Sequence, residues 1–226
     1  MNGASLLLLM RLASPSLPVG GFSYSEGIES AVESGRVGSE AQVLAWLRDQ
    51  LHLGLARSDL PVVMTALDAW RAGDLERVAT LNAWFATTRE TSEMRQQTEQ
   101  MGRSLAQWLR NRSELEPRLA VLDSLAATAT WPVAFALAAA LTDAEPAAAA
   151  LAFAAGWAEN LVQAAMKSVP LGQLAGQRIL DALALDIPAA AEAASHVAID
   201  DMQAFTPMLA ILSAQHETQY SRLFRS

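Results

Sequence analysis

Apolar residues recur along this chain at spacings of three and four, and no run of strict alternation is long enough to make a strand. Val43, Trp46, Leu47, Gln50 and Leu51 share one helical face; Met94, Met101, Leu105, Trp108 and Leu109 share another. Helix punctuation falls between such faces. Ser23 with Glu26, Ser39 with Gln42 and Thr87 with Glu90 have capping-box spacing. Gly35 and Gly73 stand where helices end. Pro61, Pro117, Pro132, Pro146, Pro188 and Pro207 suit first turns, where a missing N–H costs nothing. The pattern predicts an all-α fold, a single-domain helical bundle of about ten helices spanning residues 1–226. Helices are expected near 4–13, 24–34, 40–57, 61–72, 75–86, 88–112, 117–129, 131–142, 146–168 and 207–223, with two or three shorter ones between 170 and 203.

Charge and cysteine content narrow the function classes. Sixteen Lys and Arg against 24 Asp and Glu leave a formal charge of −8. Nucleic acids and anionic membranes recruit clustered cations, so neither is an expected partner. With no cysteine, disulfides, thiolate metal sites and thiol catalysis are all excluded. The Leu6–Met10 apolar run stops at Arg11 and is too short for a signal-peptide core. Trp131–Thr142 and Pro146–Ala158 are uncharged, yet shorter than the roughly 20 residues that span a bilayer. The expectation is a soluble, cytoplasmic protein.

Catalytic signals are sparse. His52, His196 and His216 are scattered and show neither HxxxH nor HExxH spacing. No nucleophile elbow or paired-acid site is recognisable. The chain reads as a non-enzyme with no cofactor and no dedicated metal ligands.

Four segments stand apart. In Leu17–Glu29, Gly20 and Gly21 precede Ser23; this is a tight loop before a capped helix, or backbone N–H groups offered to an anion. The Lys-Ser/Thr ending of a phosphate loop is missing. In Arg89–Arg103, Arg89 with Glu93 and Glu99 with Arg103 are i,i+4 pairs on a face expected to be solvated, and Gly102 inside a helix hints at close packing. In Met166–Gln177, Pro170 should break the chain at Val169, leaving Lys167 at a helix end. Lys167 is either a helix-end charge or a contact to an acidic partner or phosphate. Beyond the break, Gly172 and Gly176 share one face, and Gln173 and Gln177 lie one turn apart.

The fourth segment is the C-terminal stretch from His216 to Ser226. Chain ends are usually small, polar and mobile. This one carries His216, Glu217, Tyr220, Arg222, Leu223, Phe224 and Arg225, and aromatics and Arg are enriched at interface centres. On a continuous helix Leu209, Leu212, His216, Tyr220 and Leu223 would form one stripe. The reading is a docking segment whose removal leaves the melting temperature nearly unchanged and abolishes partner binding, with Phe224 as a principal anchor.

Taken in order, these segments resemble the UreF family of urease accessory proteins. The resemblance lies in Leu17-Pro18-Val19-Gly20-Gly21-Phe22-Ser23-Tyr24 with Gly27-Ile28-Glu29, in Arg89-Glu90, Glu93, Arg95 and Gly102, in Lys167 with Val169-Pro170-Leu171-Gly172-Gln173 and Gln177, and in the closing His216–Ser226. The resemblance implies a non-enzymatic, homodimeric helical protein. Such a protein binds UreD (also called UreH) and recruits the UreG GTPase, so that nickel reaches the urease apoprotein. It further implies that the C-terminal segment contacts UreD/UreH, and that Glu29 and Lys167 belong to the surface facing UreG. Activation of UreG's GTP hydrolysis, with Lys167 or an arginine completing the nucleotide site, is the alternative to a scaffolding role.

Overall fold

The segment Trp131–Ala140 has no charged side chain and therefore no face suited to water. In the computed structural model, which describes residues 1–112 and 116–225, it is the central helix, buried from Pro132 to Ala140. The chain is all-α, with no strand among the described residues. Its helices are α1 (Gly3–Ala13), α2 (Ile28–Glu33), α3 (Glu40–Asp49), α4 (Asp59–Ala72), α5 (Leu75–Thr87), α6 (Ser92–Arg110), α7 (Pro117–Ser124), α8 (Trp131–Ala140), α9 (Pro146–Ser168), α10 (Gln173–Ser195) and α11 (Pro207–Glu217).

Helices α4, α6, α9, α1 and α5 pack around α8. Small alanines let the backbones close in, and Val133, Phe135 and Leu137 fill the space between them with no exposure. Trp70 of α4 donates its indole N–H to Val133 O at 3.1 Å. The irregular approach to α8 is pinned by polar contacts. Buried Asn82 donates to Ala127 O and Thr128 O and accepts from Thr130 N at 2.8 Å. Gly102 of α6 lies so close that a Cβ there would stand 2.0 Å from Ala129 O, which explains a glycine inside a long helix.

Several expected boundaries move. Residues 24–27 are not helical, because Glu26 and Gly27 both adopt positive φ (48° and 77°), and α2 begins only at Ile28. Ser23 therefore caps nothing. At the start of α6 the cap is Thr91, which accepts from Met94 N, rather than Thr87, whose hydroxyl turns back to Ala83 O. Ser39 and Gly73 cap as expected. The 40–57 helix keeps α geometry only to Asp49, then passes through a π turn (Gln50–Gly54) and a 3₁₀ turn (Leu55–Arg57). The stretch expected as two or three short helices is mostly one, α10, with Pro188 in its interior. An interior proline costs roughly 3 kcal/mol. Here Ile179, Leu183, Ile187, Ala190 and Ala194 continue one buried face across it, and that burial offsets the lost hydrogen bond.

Candidate functional site: a carboxylate clamp on the C-terminal segment

Helix α11 stops at Glu217, so Tyr220 and Leu223 do not extend its apolar stripe. The chain turns instead and is captured by acids from two other helices. Glu29 sits at the start of α2, Glu93 in the first turn of α6 and His216 in the last turn of α11. All three are buried, His216 completely.

His216 bridges the two acids, with Nδ1 2.8 Å from Glu93 Oε2 and Nε2 3.2 Å from Glu29 Oε2. A carboxylate only accepts, so the two contacts together require one further proton in the triad, on the imidazole or on a carboxyl. The same two carboxylates also hold the tail. Glu29 Oε1 accepts Leu223 N at 2.7 Å, and its Oε2 accepts Phe224 N at 3.0 Å. Glu93 Oε1 accepts Arg222 Nη1 at 2.8 Å. Charge-assisted bonds of this kind are among the stronger protein hydrogen bonds.

Further contacts fasten the segment at both ends. Glu217 accepts from Ser92 N and Ser92 Oγ at the α6 N-terminus. The Ser92 hydroxyl, followed by the backbone N–H groups of Glu93 and Ser92, holds the Glu217 carboxyl below its usual range. Thr91 and Ser213 hydroxyls meet at 2.7 Å. At the other end Arg225 N donates to Ser23 O at 2.8 Å, and Arg225 Nη1 shares Gln100 Oε1 with the Tyr24 hydroxyl.

The clamp sorts the anchor residues into two sets. Phe224 is 6% exposed and lies beneath Lys167, whose Nζ stands 5.5 Å from the ring centroid. Tyr220 is fully exposed and Leu223 is 70% exposed. Phe22, Lys167, Leu223, Phe224 and Arg225 together outline a shallow concave patch, apolar in the middle and cationic at its edge. The structure thus brings Glu29, His216, Glu217, Arg222, Leu223, Phe224, Arg225 and Lys167 into one region. Gln173 and Gln177 stand exposed on the first turns of α10, outside the hydrogen-bonded cluster.

Three expectations are corrected by this geometry. Phe224, Glu29 and His216 face into the protein rather than outward, so removing the tail also uncovers part of the fold. Glu93, placed on a solvated face, is 6% exposed. Arg89 does not pair with Glu93; it faces Asp59 at 3.8 Å and stacks on Phe85 at 4.0 Å. The Glu99–Arg103 pair does form, at 3.6 Å. Glu93 left little trace in the sequence: Thr91 caps a helix whose first turn ordinarily carries an exposed acid, and only a tail folded across that turn buries it.

The described residues hold no group of three or more His, Asp or Glu disposed to bind a metal ion, and no helix long and apolar enough to cross a membrane. A helical body that clamps a peptide segment, with apolar and cationic side chains displayed beside it, has the form of an interaction module. The chain belongs to the UreF family of urease accessory proteins: the UreF family model matches residues 37–184. It is 61% identical to the urease accessory protein UreF of Polaromonas sp. over 228 aligned residues, covering all of this chain and 97% of that one. Identity to the UreF of Paracidovorax citrulli is 62%, with 100% and 91% covered. It is also 44% identical to the bifunctional urease accessory protein UreEF of Bordetella bronchiseptica, of which it covers 53%.

Proposed function

We propose that this protein is a scaffold for urease maturation: it joins UreD/UreH and the UreG GTPase in the complex that inserts nickel into the urease apoprotein, and it works there as a cytoplasmic homodimer. The observation that carries the reading is the division of the C-terminal segment. Its backbone is held by Glu29, while Tyr220 and Leu223 are left exposed, Leu223 on the same patch as exposed Phe22. Exposed aromatics grouped with other apolar side chains mark interaction sites. Lys167 and Arg225 at the edge suit an acidic or carbonyl-rich partner surface. That an accessory domain is joined to a UreF-type domain in the Bordetella bronchiseptica relative supports association among accessory proteins.

The deciding experiment is a pull-down of UreD/UreH beside a thermal melt. Tyr220→Ala with Leu223→Ala should leave the melt unchanged and lose the partner, because both side chains are exposed. Retained binding and retained urease activation in that double variant would refute the docking role. Stimulated GTP hydrolysis that depends on Lys167 would favour the activator reading over the scaffold.

A further inference from the structure

A second site adjoins the loop that meets the tail, with Gly21, Tyr24 and Glu26 in its lining. Among α1, α6, α8 and α9, with Asp59 at the start of α4, the protein forms a cavity of about 110 Å³ that reaches the surface beside exposed Pro15 and Glu90. One wall is apolar and aromatic. Trp131, Phe135 and Phe153 pack there with ring centroids 5.1–5.8 Å apart, alongside Trp157. The other wall carries the carboxylates of Glu26 and Asp59 and the guanidinium of Arg89.

Glu26 is the unusual member. It is the one non-glycine residue among those described that has a positive φ, at 48°. Such backbone is uncommon outside glycine and concentrates at functional sites. Its carboxylate accepts from Trp157 Nε1 at 2.9 Å and Gln97 Nε2 at 2.6 Å, both neutral donors. Protein surrounds it, and the residue keeps intermediate exposure because it borders the cavity. Arg89 is turned to Asp59 and Phe85 instead. Burial, helped by the Asp59 charge, pushes the Glu26 acid up, although Trp157, Gln97 and Arg89 oppose it. With both acids ionised the cavity carries two negative charges against one positive charge.

We propose that the cavity binds a small organic monocation, a primary alkylammonium, with its ammonium on Glu26 and its alkyl chain against the aromatic wall. The ammonium supplies the missing charge and donates to lone pairs that Trp157 and Gln97 leave free. Aromatic faces attract cations, and the apolar wall takes the methylenes. An apolar cavity of roughly 150 Å³ holds benzene, so a space of 110 Å³ suits about five heavy atoms. Glu90 at the mouth adds negative charge along the way in. An inorganic anion would gain the unpartnered Nε of Arg89 and meet two carboxylates. The site stands apart from the scaffold reading, and failure of either leaves the other intact.

The test titrates n-butylammonium into the full chain, followed by calorimetry and thermal melting, with n-butanol as the neutral isostere. Saturable binding with a Kd on the order of 1 mM is expected, together with a rise in melting temperature that butanol does not reproduce. Glu26→Gln keeps the shape and an acceptor for Trp157, and should weaken binding at least tenfold. Asp59→Asn, which removes the second acid of the same wall, should weaken it less and serves if the first variant fails to fold. Equal responses to butylammonium and butanol, or affinity unchanged in both variants, would overturn the proposal. No saturable binding of either compound would show a water-filled space and overturn it as well.

Discussion

The packing around α8 and the clamp on the C-terminal segment hold the molecule together by different means. Around α8 the burial is mostly apolar, with side chains from Pro132 to Ala140 all buried among five neighbouring helices. Burial of that kind is non-directional, so no single contact decides it. The C-terminal segment has one buried apolar anchor, Phe224, and otherwise depends on oriented bonds to Glu29 and Glu93 and on those that Ser92 donates to its own Glu217. A few oriented bonds are undone by a single substitution or by a partner that offers better donors. Core packing, in contrast, yields only with the whole domain. Helix α6 takes part in both regions, with Glu93 of the clamp in its first turn and Gly102 against the approach to α8 further along.

Mutations and pH provide direct ways to break this comparison. The largest effect is expected from Phe135→Ala, which empties the aromatic cluster beside α8 and should cost about 3–5 kcal/mol in denaturant unfolding. A loss smaller than that of the clamp variant would invert the comparison. Glu29→Ala removes the acceptor of two backbone N–H groups and one partner of His216, and should cost about 1–3 kcal/mol. Its sharper signature is local: the tail should become protease-sensitive while α8 and α9 keep their hydrogen-exchange protection. A tail that stays protected in that variant is held without Glu29, by Phe224, the Arg222–Glu93 pair and the Arg225 contacts to Ser23 O and Gln100.

The cavity and the clamp should also answer pH in opposite directions. Glu26 is raised in the folded protein, so the folded state binds more protons between the unfolded and folded values. Stability attached to it falls as pH rises through that window, and Glu26→Gln should flatten the fall. Glu217 is lowered, so its contribution is present above the ordinary carboxyl value and disappears as pH drops through the folded one. Glu217→Gln should flatten only this acidic limb. Melting curves collected across pH for both variants check the signs, and matching slopes would contradict the assignment. The smallest effect on stability is expected from Lys167→Ala, under about 1 kcal/mol, since it removes one exposed cation over the Phe224 ring. A larger loss would make Lys167 a structural lid on Phe224, where a displayed charge is the present reading.

Helical class, most helix positions and the break after Ser168 were legible in the residues themselves, because period, caps and prolines act over one or two turns. The Gly102 contact was legible too, since a glycine inside a long helix asks for a close neighbour. Pro188 misled, because a local rule does not know that the buried face of α10 continues past it. The tail residues were conspicuous as types, and their family pattern was readable. Which of them face inward was not. Glu29 and Glu93 are 64 positions apart, and His216 lies 123 beyond Glu93. Their meeting depends on how α2, α6 and α11 pack, and no spacing encodes that. The Glu26 cavity likewise exists only where α1, α6, α8 and α9 fail to close on one another. Local periodicity in the sequence therefore determined the helices, whereas packing alone decided which charges were taken out of water and which apolar side chains were left in it.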